Sequence, residues 1–154
     1  MRLDRSASDF WVCVAAAVLA LIGIAVTAYL LYERYHGNAP LCVLGGGCTA
    51  VQRSQYSTVA GVPVALLGLL AYVALFVCAL VRWQIAALAA LFITLLGVLL
   101  SAWLTYLELD QIHAICEYCV ASAIIVTLSL VLTIVRLTIL SRDAATGPPP
   151  TPSS

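Results

Sequence analysis

The stretch C-E-Y-C-V-A-S-A-I-I-V-T-L-S-L-V-L-T-I-V-R-L-T-I-L, Cys116–Leu140, decides how this chain folds. Past the second cysteine it carries a single charge, Arg136, and it is long enough for a helix to cross a bilayer, which takes about 20 residues. A Cys-x-x-Cys pair therefore opens a membrane-spanning helix. On a helix, positions i and i+3 share a face, so both sulfurs can point the same way. The first turn also presents free backbone N–H groups and the positive end of the helix dipole, which favour a thiolate over a thiol. A dithiol seated there is primed for thiol–disulfide exchange where the membrane begins. The expectation is that the rest of the chain carries electrons to and from it.

Composition agrees with a membrane protein. Of 154 residues 64% are apolar and 9% charged, far more apolar surface than a soluble domain of this size needs. All seven basic residues are Arg and the formal net charge is zero, so nucleic acid is excluded as a partner. Four runs are long enough to span: about 10–32, 62–81, 85–107 and 116–136. Together they predict an all-α integral membrane fold, a four-helix bundle over residues 10–140 with a cysteine-containing extracytoplasmic loop. Residues 1–9 form an N-terminal segment, and the Pro-rich 141–154 is a disordered tail. Val26-Thr27-Ala28 offers a small-residue cleavage site, but the first run exceeds the usual signal-peptide core of roughly 7–15 residues, so it reads as an anchor. Arg136 is expected to snorkel to the far interface, leaving 137–140 along it. Arg2, Arg5, Arg82, Arg136 and Arg142 fall on one side of these spans and only Arg34 and Arg53 on the other. The positive-inside rule puts both termini in the cytoplasm, and the long 33–61 loop and the start of the fourth span outside.

That loop contains C-V-L-G-G-G-C at 42–48. Three glycines let the ends of so short a loop reach disulfide distance, and a water-facing bridge of this kind is open to an outside thiolate. Residues 49–58 can form a short helix with Val51, Tyr56 and Val59 toward the bilayer or bundle. Three readings compete for Cys42, Cys48, Cys116 and Cys119. Two structural disulfides suit the loop pair, but a Cys-x-x-Cys bridge closes too small a loop to gain much entropy. A Cys₄ zinc site suits Cys116 and Cys119, but the 42–48 spacing is too wide for the usual knuckle. A redox relay alone accounts for one mobile pair and one pair held at a helix start. A relay needs a terminal acceptor, and a lipid-soluble quinone matches a dithiol that gives up two electrons together. A rival of another class is a carrier of heavy metals that uses the cysteines as soft ligands.

The chain resembles the vitamin K epoxide reductase family in its bacterial, single-domain form. The resemblance rests on Cys42 and Cys48 in the first outer loop, Ser54 after them, Gly61-Val62-Pro63 opening the second span and Cys116-x-x-Cys119 opening the fourth. It implies a thiol oxidoreductase of the plasma membrane with a four-helix bundle around a ubiquinone or menaquinone, and no metal. Cys119 would face the quinone, Cys116 would exchange with Cys48, and Cys42 would meet a separate, DsbA-like thioredoxin-fold partner. Ser54 falls where the family carries a Ser or Thr that helps orient or activate the exchange. Ala123 and, approximately, Val64 stand where animal members have a Tyr and an Asn, which favours plain quinone over vitamin K epoxide as substrate.

Other residues carry less. Cys13 and Cys78 lie inside apolar runs and read as small hydrophobes. His113, three residues before Cys116, is a candidate proton shuttle or a solvated loop side chain. Trp11, Tyr32 and Trp83 read as an aromatic belt, and Trp103 and Tyr106 as belt or quinone-pocket residues. Gly23, Gly68 and Gly97 are expected where helices approach closely.

Overall fold

The computed structural model describes residues 2–37, 40–42, 48, 57–59, 61–81, 83–112 and 115–145. The proposed helix over 49–58 falls mostly outside them. Four apolar helices dominate: α1 (Arg2–His36), α2 (Val64–Leu80), α3 (Gln84–Leu107) and α4 (Glu117–Ala145). A two-residue hairpin, β1 (Thr58–Val59) with β2 (Val62–Pro63), leads into α2, and Gly61 turns it at φ 81°, a conformation costly for any residue with a Cβ. Pro63 caps α2, where its missing N–H costs nothing. A π-helical turn, Glu108–Ile112, extends α3 toward α4.

Each helix packs on the next, and α4 closes back on α1, so the bundle runs up-down-up-down. One end carries the start of α1, the end of α4 and the α2–α3 turn. The other carries the loop cysteines, the π turn and the start of α4. Three helices are long and apolar enough to cross a membrane (Ala7–His36, Gln84–Asp110 and Glu117–Arg142). The expected second span is shorter: α2 has 17 residues, about 26 Å of rise, with the hairpin taking over its first two positions. The outward faces are hydrocarbon: Phe92 and Leu99 are 65% and 66% exposed, with Leu70, Val77 and Val131 alongside. A surface this apolar belongs in lipid.

Small residues let the helices approach. Ala20, Ala87 and Thr94 are fully buried, and Ala20, Tyr72, Leu75, Ala90 and Ile125 form the core. The glycines behave as expected. A Cβ on Gly23 would lie 2.5 Å from the Tyr72 ring, one on Gly97 2.7 Å from Val126, and one on Gly68 3.1 Å from Thr27. Buried hydroxyls return their protons to their own helix, as in Thr94 to the Ala90 carbonyl (2.8 Å) and Thr133 to that of Ser129 (2.8 Å).

Arg136 does not snorkel, and α4 runs on past it to Ala145. Its side chain is buried. It pairs with Asp9 of α1 at 3.5 Å and donates to the carbonyls of Cys78 and Val81, both at 3.1 Å, at the end of α2. Carbonyls at a helix C-terminus lack intrahelical donors, so this guanidinium caps α2 while tying α1 to α4. Cys13 is buried one turn along α1, its thiol 4.0 Å from Asp9. Arg136→Gln leaves Asp9 buried without this cation and two carbonyls without their donor. We expect a loss of about 3–5 kcal/mol, read as a lower unfolding midpoint in detergent, and a smaller loss when Asp9→Asn is added.

Candidate functional site

Cys116 sits just ahead of α4, and its carbonyl accepts the Val120 N–H at 3.0 Å, so it is the residue that caps the helix. Cys119 is then the third residue of the first turn. Both are free thiols, Cys116 wholly buried and Cys119 half-buried. A hydrogen bond from the Cys119 thiol draws Cys116 below the ordinary thiol range, helped by the backbone N–H groups of Cys119 and Tyr118. Burial and the nearby Glu108 carboxylate oppose the shift. The neighbouring thiol, more than the first-turn N–H groups, is what acts in favour of negative charge on Cys116.

Cys42 and Cys48 form a disulfide with their Cα atoms 6.2 Å apart. The bridge is less open than a simple water-facing loop: Cys42 is half-buried, but Cys48 is fully buried. Two tyrosines hold it beside the other pair. The Leu41 N–H donates to Tyr29 Oη at 3.3 Å, and the Tyr118 hydroxyl donates to the Leu41 carbonyl at 2.8 Å. The two rings lie 5.5 Å apart. Tyr118 stands between the inner cysteines in sequence, so the residue next to Cys42 is fastened to the Cys-x-x-Cys turn.

Below this turn lies a cavity of about 420 Å³, walled by all four helices. Cys116 and Cys119 line it, with aliphatic side chains such as Val64, Leu75, Leu104 and Val126. Its polar groups are few. Tyr72 of α2 donates to the Ser122 carbonyl at 3.0 Å and lies 2.8 Å from the Ser122 hydroxyl, one turn beyond Cys119. Arg34 of α1 donates to Ser57 at 3.0 Å, both of them lining the cavity. Glu108 is buried, and its Oε2 accepts the Cys116 N–H at 3.3 Å. This volume and lining, mostly apolar with a few convergent polar groups, suit a flat apolar ring carrying carbonyl oxygens.

Sequence reasoning brings the four loop-side cysteines to one end of the bundle. Trp103 and Tyr106 lie elsewhere: they are 60% and 57% exposed on the outer face of α3, their rings 6.4 Å apart, and neither lines the cavity. Ser54 and His113 fall outside the described residues. Tyr29, Tyr72, Glu108, Tyr118 and Ser122 went unread as site residues. The available signal was polar groups inside or at the ends of apolar runs. Among the described residues, no group of three or more His, Cys, Asp or Glu is placed to hold a metal ion.

The family model described as the vitamin K epoxide reductase family matches residues 14–134, most of the chain.

Two outcomes follow from this geometry. With Cys42→Ser and Cys48→Ser isolating the inner thiols, adding Cys119→Ala removes the hydrogen bond that lowers the Cys116 pKa. The pH at which Cys116 becomes alkylatable then moves up, measured by alkylation rate against pH. Tyr118→Phe keeps the ring but frees the Leu41 carbonyl, and we expect faster cleavage of Cys42–Cys48 by a small reductant.

Proposed function

This chain belongs to the vitamin K epoxide reductase family, and from that premise we propose that it oxidises a thioredoxin-fold partner and passes the electrons to a quinone. The family makes it a membrane thiol oxidoreductase, and its general association with quinones and thioredoxin-like partners is the basis for the finer reading. The observation that carries the proposal is the pairing at one end of the bundle. An oxidised, half-accessible bridge is fastened beside a reduced dithiol that lines an apolar cavity.

The thiol steps follow from exchange chemistry. A thiolate of the reduced partner attacks Cys42, the more accessible sulfur, and releases Cys48. The partner's second thiol resolves the mixed disulfide, leaving Cys42 and Cys48 reduced. Cys48 then attacks an oxidised Cys116–Cys119 pair at Cys116 and frees Cys119. Cys42 attacks Cys48, restoring its own disulfide and leaving Cys116 reduced. The outcome is the arrangement described above, with the loop pair oxidised and the inner pair reduced. A bound quinone supplies a two-electron, two-proton acceptor. Cys119 and the Tyr72–Ser122 pair would border it, with Val64 and the other aliphatic side chains keeping water out. Ser54 is proposed to assist the exchange in the loop.

The orientation proposed is termini inside, cysteines outside. Burial and pairing with Asp9 remove Arg136 from the charges that decide sidedness. Arg2, Arg5, Arg82 and Arg142 still outnumber Arg34 and Arg53. The cysteines would then meet an oxidising compartment, where a thioredoxin-fold oxidase of the DsbA type is the fitting partner.

The test uses purified full-length protein, a reduced thioredoxin-fold oxidase and a short-chain soluble quinone. Quinone absorbance is expected to fall in step with partner oxidation. Cys119→Ala abolishes quinone reduction, while a disulfide with the partner can still be trapped. Quinone reduction that survives Cys119→Ala would sink the proposal.

A further inference from the structure

Glu108 is a carboxylate that the exchange steps leave without a task. It follows directly on an apolar helix, is 3% exposed and lines the cavity with Cys116 and Cys119. Its Oε2 accepts the Cys116 N–H, which alone would suffice to cap the start of α4. Its Oε1 is buried and has no hydrogen-bond partner among the described residues. Leaving one oxygen of a buried carboxylate unpaired is costly and calls for a reason. Both inner cysteines line the same cavity as this carboxylate, whose other oxygen is fixed 3.3 Å from the Cys116 amide.

The chemistry of the inner pair supplies a reason. The nucleophile in thiol chemistry is the thiolate. Cys119 lines an apolar cavity on the first turn of α4, where a charged thiolate is poorly solvated. A proton leaving sulfur there needs a base within direct reach. We infer that Glu108 is the proton acceptor for the Cys119 thiol when the inner pair is oxidised, and that it holds this proton until delivery to the reduced quinone. The inference rests on the proposed quinone reduction and adds a residue to it. In the full step two S–H bonds break and the Cys116–Cys119 bond forms. Two electrons and two protons end on the quinone, which becomes the quinol, and Glu108 returns to its carboxylate form. Among the described residues, the other titratable or charged groups lining the cavity are Arg34 from α1, Tyr72 from α2 and Tyr118 from α4.

A base and a bystander anion make opposite predictions. A bystander carboxylate beside the sulfurs only disfavours thiolate, so Glu108→Gln would speed quinone reduction. A base is lost in Glu108→Gln, so single-turnover quinone reduction by the full-length protein slows by about 100-fold. Its rate then rises tenfold per pH unit through the neutral range, where the wild type is flat. Glu108→Asp, whose carboxylate is drawn back by one methylene, lies between the two.

A readout independent of turnover accompanies this. In the Cys42→Ser, Cys48→Ser background, the thiolate ultraviolet absorbance of the inner pair develops at lower pH in Glu108→Gln, because a neighbouring negative charge is gone. An unchanged midpoint overturns the inference. So does a Glu108→Gln rate equal to or above wild type, or a slowed rate that keeps the wild-type pH profile. If Glu108→Gln does not accumulate folded, Glu108→Asp carries the test, and wild-type kinetics in it overturn the inference. Wild-type protein that reduces no quinone at all defeats the proposed function instead, and the thiolate titration still shows whether Glu108 acts on the sulfurs.

Discussion

Hydrocarbon gives a backbone no partner but itself, and this constraint shapes the whole molecule. Each long apolar run closes its own hydrogen bonds as a helix, and the hydroxyls buried between helices donate back to the same backbone. Among the described residues, irregular chain lies at the ends of the bundle. Chemistry that needs a bent backbone, free N–H groups and exchangeable sulfurs therefore has to sit at an end. Here all four loop-side cysteines share the end where α3 gives way to α4.

The two ends use buried charge differently. At the terminal end, Arg136 uses its donors on Asp9 and on two carbonyls that α2 cannot satisfy, joining three helices through one side chain. At the cysteine end, Glu108 meets the reverse need, an amide at a helix start, and uses one oxygen to do so. The first arrangement locks a packing. The second leaves an acceptor beside two thiols, which is the more useful state for a group that handles protons.

The asymmetry of the loop bridge matters as much as its presence. A disulfide with both sulfurs in water would exchange with any thiol, and one wholly buried would exchange with none. Cys42 is half-buried and Cys48 fully buried, and the Tyr29–Leu41–Tyr118 contacts hold the bridge against the Cys-x-x-Cys turn. One sulfur of the bond is thereby left more accessible than the other. The Tyr72–Ser122 pair adds a polar spot to an apolar cavity one turn beyond Cys119.

By itself the sequence determined the four apolar runs that become helices, the placement of the four cysteines at one end and the close approaches at Gly23, Gly68 and Gly97. These depend on run length, loop position and side-chain size, all local properties written along the chain. It could not say that Arg136 turns inward to Asp9, that Glu108 turns toward Cys116, or that Trp103 and Tyr106 face outward. An apolar helix in lipid is apolar all round, so its pattern does not mark an inner face. Which polar side chain points into the bundle is decided only when four helices pack and each buried group must find a partner.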